Sequence, residues 1–192
     1  MTDLAEASRT RRLKAATREA HERLDARIMA GRPFESRERY GQFLAVQHTF
    51  HGDVDPLYAD PALGRLLPDL AGRSRLALIE RDMADLGLGI PDATPAPIEP
   101  GDLPAAIGWL YVAEGSNLGA AFLIKEAAAL GLGEAFGARH LAGAPEGRGL
   151  HWRSFTAAVD ALDLTRAEDD RAAAAAEAAF RRVRALADAA FA

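Results

Sequence analysis

One stretch of the chain decides the fold: Gly108-Trp-Leu-Tyr-Val-Ala-Glu-Gly-Ser-Asn-Leu-Gly-Ala-Ala-Phe-Leu-Ile-Lys125. It lies inside a long helical pattern that starts with Asp102 and Pro104 and continues to about Leu130. Aspartate before the first turn and proline within it are typical of a helix start. Apolar residues fall on most faces of this helix, so we expect it to be buried at the centre of the protein.

Two glycines interrupt this apolar helix at positions four residues apart. Gly115 and Gly119 therefore share one helix face. Each glycine inside a helix costs about 0.5–1 kcal/mol relative to alanine, so a compensating role is expected. Small residues at this spacing let a second helix pack tightly, which is the commoner explanation. They also let a ligand approach the backbone closely, and the spacing alone leaves both explanations open.

The rest of the chain is also predicted to be helical. Ser36 is a predicted N-cap, and Thr165 with Glu168 forms a predicted capping box. No strand-like alternation of more than a few residues occurs, so the fold class is all-α. Besides the long helix, the predicted helices cover residues 9–30, 36–58, 73–86, 148–161 and 165–192, with a short helical piece and turns where Pro56, Pro61 and Pro68 break the chain.

Length and composition indicate a single domain over residues 1–192. Within it, we expect residues 1–8 to be flexible and the proline-rich residues 91–101 to form a surface loop. The net charge of −5 argues against a nucleic-acid partner. The absence of cysteine excludes disulfides, thiolate metal sites and thiolate-ligated heme. We find no membrane span and no signal peptide, so we expect a cytoplasmic protein without a membrane partner.

A polar stripe runs along the first helix. Lys14, Thr17, His21, Asp25 and Ile28 follow one another at steps of three or four residues. A neutral His21 could bind a metal, with Asp25 accepting the proton of the other ring nitrogen. Lys14 lies two turns earlier, about 10 Å along the helix axis. The commoner alternative is a surface histidine with a charged neighbour, and the stripe alone does not exclude it.

The same helix carries a cluster of basic residues. Such a cluster is usually a solvated face, although it could also steer an acidic redox partner toward the protein. Its members are Arg9, Arg11, Arg12, Lys14 and Arg18.

Taken together, the blocks Leu13 to Asp25 and Gly108 to Lys125 resemble the bacterial heme oxygenase family. The segment Gly149-Leu-His-Trp-Arg-Ser-Phe155 is similar to a later block of that family. The resemblance spans nearly the whole chain, and the pair of blocks is more specific than either alone. It implies a helical fold in which heme b lies between the first helix and the long glycine-containing helix.

The resemblance also implies roles for individual residues. His21 would be the axial ligand of the heme iron, and Gly115, Ser116 and Gly119 would form the distal, catalytic side. Lys14 and Tyr111 would lie near the heme propionates. The other expected heme-site residues are Thr17, Asn117, Gln47 and His51, the last two where some bacterial members place a distal water network. Among the remaining histidines, we expect neither His48, His140 nor His151 near the pocket.

Two positions depart from the family's better-known pattern. Mammalian members carry an aspartate after the first distal glycine, whereas this chain carries Ser116, so the proton-delivery route is left open. The C-terminal arginine that some members use for the second propionate has only candidates here, Arg181 and Arg184.

The implied activity is oxidative cleavage of heme to biliverdin, CO and ferrous iron, with heme as both substrate and cofactor and with O2. The presence of Lys14 and Tyr111 predicts cleavage at the α-meso carbon. We find no flavin or nicotinamide motif, so electrons would come from a ferredoxin or flavodoxin-type partner. A bacteriophytochrome could accept the biliverdin. Two alternatives are a non-catalytic heme carrier or sensor, and a helical interaction module without a cofactor.

Overall fold

The computed structural model describes residues 8–92, residue 98 and residues 101–192. Within these ranges the regular structure is helical, and β structure is confined to isolated bridges from Gly133 to Phe136 and Gly137. Two 3₁₀ turns cover Leu70–Arg73 and Arg139–Leu141. The α-helices are α1 (Arg9–Ala30), α2 (Arg37–Tyr58), α3 (Pro61–Leu66), α4 (Leu76–Asp85), α5 (Leu103–Ala128), α6 (Arg148–Asp160) and α7 (Arg166–Ala190).

Three of the helices begin where the sequence predicts. The Ser36 hydroxyl accepts a hydrogen bond from the Arg39 amide at 3.2 Å, and this caps α2. Asp102 accepts from the Ala105 amide at 3.1 Å, which caps α5. At α7 the capping box is complete, because the amides of Thr165 and Glu168 each donate to the other residue's side chain. The all-α prediction and these helix starts are confirmed.

One predicted helix start is wrong. The fourth helix starts at Leu76 rather than Arg73, because Arg73 lies in a 3₁₀ turn with its side chain bonded elsewhere. The predicted end of α2 at about Tyr58 is confirmed, and Pro56 lies in its last turn. The expectations for residues 1–7, 93–97 and 99–100 concern parts of the chain outside the described residues.

The basic cluster of α1 is not uniformly a solvated face. Arg9 is buried, and its guanidinium bonds Asp169 of α7 and, at 2.6 Å, the Val159 carbonyl of α6. Arg12 also bonds Asp169. These long-range partners bring the start of α1 against the start of α7. Lys14, Arg11 and Arg18 remain exposed.

Helix α7 packs against both α5 and α1, and these are the two most extensive helix pairs in the fold. Its buried residues include a stripe of alanines, Ala172, Ala176, Ala179 and Ala187. At Gly108 of α5, an added Cβ would lie 2.7 Å from the Ala176 amide nitrogen and closer still to the Ala172 carbonyl oxygen. The two helix backbones thus approach each other as closely as only glycine permits. Direct packing of α1 on α5 is slight by comparison.

The core surrounds α5. Ile107, Leu110 and Ala113 are fully buried, and Trp109 stacks on Phe50 of α2 with ring centroids 6.0 Å apart. By length and hydropathy α5 could also cross a membrane, but 56% of its most apolar window is buried inside the protein. Its apolar character is therefore explained by its place at the centre of the helical core.

Replacing Gly108 with alanine should lower the free energy of unfolding by about 1–3 kcal/mol, because the new methyl group would push two backbones apart. Gly52→Ala is the matched control, since a Cβ there would meet no described atom within 4 Å. The control should be neutral or stabilising by up to about 1 kcal/mol. Urea denaturation of both variants measures the difference, and equal stabilities would contradict the close approach.

Candidate functional site

His21 lies on α1 with its side chain 59% exposed. Its Nδ1 is 3.2 Å from the Asp25 carboxylate one turn later, as the sequence predicts. The ring edge contacts Phe180 of α7, with centroids 5.7 Å apart. A carboxylate beside Nδ1 favours the proton on that nitrogen and leaves the Nε2 lone pair for a metal. The exposed face of α1 therefore presents an imidazole, oriented by Asp25 and Phe180, to any ligand that covers it.

The other residues of the α1 stripe differ in their surroundings. Lys14 is exposed, so its ammonium group can reach an anionic ligand beside the helix. Thr17 is buried, and its hydroxyl donates a 2.8 Å hydrogen bond to the Leu13 carbonyl. The hydroxyl proton is thus already bonded within the helix, so Thr17 can make van der Waals contact with a ligand but cannot donate a hydrogen bond to it.

Gly115 and Gly119 of α5 do not make the close backbone-to-backbone packing that Gly108 makes with α7. A Cβ added to Gly119 would meet nothing within 4 Å among the described residues, and Gly119 is exposed. At Gly115 the nearest such contact is the edge of the Trp152 ring at 3.7 Å, an ordinary separation. Gly108 is the glycine of α5 that serves helix packing. The structure therefore favours the ligand explanation for Gly115 and Gly119.

Apolar side chains flank Gly119 on the same face. Leu118 is 40% exposed and Phe122 is 54% exposed. Exposed apolar residues beside an open stretch of backbone are typical of a surface that a flat apolar ligand covers. We call this surface, formed by Gly115, Leu118, Gly119 and Phe122, the glycine platform.

Polar groups at the glycine platform are few. The Ser116 hydroxyl donates a 2.7 Å hydrogen bond to the Ala113 carbonyl, so it can accept but not donate a further hydrogen bond in this arrangement. Asn117 is buried, and its backbone carbonyl accepts from Arg148 of α6 at 2.7 Å. Ser116 and Asn117, the two polar residues that follow Gly115, are therefore both bonded to neighbouring groups, and neither is acidic or basic.

An aromatic group adjoins the glycine platform at its N-terminal side. Tyr111 packs on Trp152 of α6 with ring centroids 5.5 Å apart, and Trp152 packs on Phe155 at 5.9 Å. Burial raises the pKa of Tyr111 to about 12, so its phenol is a neutral hydrogen-bond donor at physiological pH. Trp152 lies in the segment of residues 149–155, which resembles a block of the family, but its position beside Gly115 was not predicted.

Gln47 and His51 lie on α2. Gln47 is half-buried and His51 is 4% exposed. Burial, then the charges of His140, Arg75 and His48, lower the pKa of His51 to about 3, so the ring is neutral. Its Nδ1 has no hydrogen-bond partner in the part of the chain that the structure describes. A buried nitrogen in this state is a place for an ordered water.

His51 does not stand apart from the other histidines. His140 is buried with its Nδ1 2.8 Å from the Asp82 carboxylate, and it is near enough to His51 to influence its charge. The Nε2 atoms of His48 and His140 also lack hydrogen-bond partners among the described residues, although His48 Nε2 lies 3.7 Å from the Glu80 carboxylate. These polar side chains thus come from three elements: His48 and His51 from α2, Asp82 from α4 and His140 from the 3₁₀ turn Arg139–Leu141.

A charged cluster lies directly beside the glycine platform, and sequence reasoning missed it. Glu114 is 1% exposed. Tyr58 donates to its Oε1 at 2.9 Å, and Arg73 donates to its Oε2 at 2.8 Å. The Nε2 of His151 lies 3.5 Å from the same carboxylate. The partners come from three different elements, so no sequence spacing could have announced the cluster.

A cavity of about 360 Å³ adjoins this cluster. Arg73, Arg75, Arg139, Glu146 and His151 line it together with loop residues. None of the residues that the sequence predicts for the heme site belongs to its lining. The surfaces of α1 and α5 described above, rather than this cavity, carry the features expected of the site.

Comparison with known proteins decides the family. The sequence profile of the family described as heme oxygenase matches residues 7–189. The chain belongs to the heme oxygenase family. This heme oxygenase is 46% identical over 175 residues to the heme oxygenase PigA of Pseudomonas aeruginosa, covering 91% of this chain and 88% of that protein.

A solved relative has the same fold. The heme oxygenase of Neisseria meningitidis, in a structure described as NO- and CO-bound, matches with a TM-score of 0.91 and 41% sequence identity. The match covers 96% of this chain and 92% of that one. The family, the all-α fold and the enzyme class expected from the sequence are thereby confirmed, and heme oxygenase activity is favoured over a non-catalytic carrier.

The buried neutral His51 makes stability depend on pH. An unfolded chain binds a proton at this residue below about pH 6.5, whereas the folded protein does so only near pH 3. The contribution of the neutral His51 ring to the free energy of unfolding is therefore fully present above about pH 6.5. It is lost as the pH falls below that value, by up to about 1.4 kcal/mol per pH unit. Urea denaturation between pH 7.5 and 5 should show that the free energy of unfolding falls less steeply with decreasing pH for His51→Asn than for wild type. An equal pH dependence in the two proteins would contradict a buried, neutral His51.

Proposed function

We propose that this heme oxygenase opens heme at the α-meso carbon and releases biliverdin, CO and ferrous iron, using O2 and external electrons. The observation that carries the proposal is the pairing of two surfaces: an exposed His21 beside the Asp25 carboxylate, and a glycine platform on which no described residue outside its own helix lies within 4 Å of a Cβ added at Gly119. Helix α7 packs against both α1 and α5 and so holds these surfaces in a fixed relation.

His21 is the proposed axial ligand. With Asp25 beside Nδ1, the ring is oriented by a carboxylate and offers Nε2 to iron. Contact with Phe180 restricts rotation of the ring. When bound, heme supplies the iron that activates O2 and the porphyrin ring that is opened.

Gly115 and Gly119 act through what they leave out. With no side chain at either position, α5 cannot present a general acid directly over the iron, and such an acid would promote O–O bond cleavage before the ring is attacked. The exposed apolar side chains of Leu118 and Phe122 contribute the burial that holds a flat ring. Proton delivery is left to water bound by backbone groups, by Asn117 and by the accepting lone pairs of Ser116.

The remaining expected site residues have supporting roles. Lys14 and the neutral phenol of Tyr111 would bind the propionates and so set the rotation of the ring. Thr17 would contribute surface beside His21. Gln47 and His51 would bind ordered water, because the Nδ1 of the neutral His51 has no hydrogen-bond partner among the described residues and can take part in one more hydrogen bond. Arg181 and Arg184, both on α7, stay candidates for the second propionate.

Electrons must come from a separate protein. Arg11, Lys14 and Arg18 are exposed on α1 and form a positive surface beside the proposed heme edge. A ferredoxin or flavodoxin-type donor with an acidic surface fits this charge. We place the enzyme in the cytoplasm, without bound flavin or nicotinamide, and a bacteriophytochrome is the proposed acceptor of biliverdin.

The activity is tested with heme-loaded protein under air, with a reductant and with catalase to remove stray peroxide. The Soret band of the wild-type protein should disappear as biliverdin forms. His21→Ala should lack the histidine-ligand spectrum and should not degrade heme, whereas added imidazole should restore the axial spectrum. His48→Ala is the control and should behave as wild type. Heme that persists in the wild-type protein would instead favour a carrier.

Regioselectivity is tested through Lys14. Wild-type protein should yield biliverdin that is predominantly the α isomer, because the ammonium group anchors one propionate. Lys14→Gln should give a mixture with a substantial share of other isomers, since the ring can then rotate. Arg18→Gln, an exposed neighbour on the same helix, should retain the wild-type ratio. Chromatography of the isomers measures the outcome, and a dominant β or δ product from wild type would refute this part.

A further inference from the structure

The carboxylate of Glu114 is placed to control the glycine platform. Successive helix residues are about 100° apart, so Glu114 projects from the flank of the platform rather than into the ligand surface. It is nevertheless the residue directly before Gly115, and it is 1% exposed. Its buried carboxylate is therefore one residue away from the backbone of the platform.

The contacts of Glu114 reach three separate parts of the fold. Tyr58 near the end of α2 binds one carboxylate oxygen, and Arg73 of the 3₁₀ turn binds the other. Arg73 continues to α6, where it donates to the Ser154 hydroxyl at 2.6 Å and to the His151 carbonyl at 3.2 Å. Its guanidinium also lies over the Phe155 ring, 5.8 Å from the centroid. Glu114 is therefore fixed against α2, the 3₁₀ turn and α6 at once.

A second arginine holds the same segment from α6. Arg148 donates to the Asn117 backbone carbonyl at 2.7 Å and also bonds the Leu141 carbonyl. Asn117 lies between the two platform glycines. The segment from residue 114 to residue 117 is thus tied to its surroundings by two arginines, at a place where glycine makes the helix backbone most deformable.

A buried ion pair is a poor source of net stability, because desolvation offsets most of its attraction. Its effect on the positions of the bonded groups is stronger than its effect on stability, since each hydrogen bond holds its donor and acceptor at a defined distance and angle. We propose that Glu114 is a positioning residue: its bonds to Arg73 and Tyr58 fix the height and rotation of the glycine platform over the heme. The proposal rests on the proposed heme site, and it predicts an effect on which carbon is attacked.

The main variant is Glu114→Gln, which keeps the size and one oxygen but leaves Arg73 opposite a neutral group. Hydrogen–deuterium exchange of the heme-free protein should speed up by about tenfold at residues 115–119, as expected for loss of one charge-assisted hydrogen bond. The heme-loaded variant should produce a mixture of biliverdin isomers while heme is still bound through His21. Where Glu114→Gln does not fold, the double variant Arg73→Met/Glu114→Gln removes both charges and serves in its place.

Asp53→Asn is the matched control, because it removes a buried carboxylate that bonds Arg182 between α2 and α7. It should lower the melting temperature without changing exchange at residues 115–119 or the isomer ratio. Wild-type exchange and isomer ratio in the folded Glu114 variant, or equal changes in Asp53→Asn, would overturn the proposal. Failure of the wild-type protein to cleave heme would instead contradict the proposed function, and the exchange measurement does not depend on it.

Discussion

Helix α7 packs against both walls of the proposed heme site, namely the α1 surface that carries His21 and the glycine platform of α5. Its alanine stripe lets the α5 backbone approach at Gly108, and its N-terminal Asp169 ties down Arg9 and Arg12 of α1. Farther along, Asp188 binds Arg27 of α1. Because α1 packs only slightly on α5, the separation of the two walls follows from how each is seated on α7. Helix α7 carries no predicted iron ligand, yet it sets the distance between α1 and α5 that is available to heme.

The fold was largely predictable because the deciding signals are local. The Ser36, Asp102 and Thr165 caps act within three residues of themselves, and apolar periodicity decides which face of a helix is buried. What escaped prediction depends on partners far away in the chain. Burial of Arg9 requires a residue 160 positions later. The 3₁₀ rather than α-helical conformation at Arg73 goes with side-chain bonds to Glu114 and α6, which no local pattern encodes.

The candidate site shows the same division. The neighbourhood of His21 and Asp25 followed from their i,i+4 spacing. The spacing of Gly115 and Gly119 left two explanations open, and only the surroundings could separate them. Gly108 packs against α7, whereas a Cβ added at Gly119 would meet no described residue outside its own helix within 4 Å. The hydroxyls of Thr17 and Ser116 bond their own helix, a choice that depends on rotamers. Glu114 was overlooked because a single acid in an apolar helix has no informative spacing.

The exposed Leu118 and Phe122 have a consequence for the enzyme between turnovers. An enzyme that consumes its own prosthetic group returns to the bare protein after every cycle, and these apolar side chains then face water. Bound heme stabilises the folded chain by mass action, so the protein is least robust when its supply of heme runs out. Exposed apolar surface also promotes self-association. The abundance of the intact enzyme is thereby linked to the availability of the molecule it destroys.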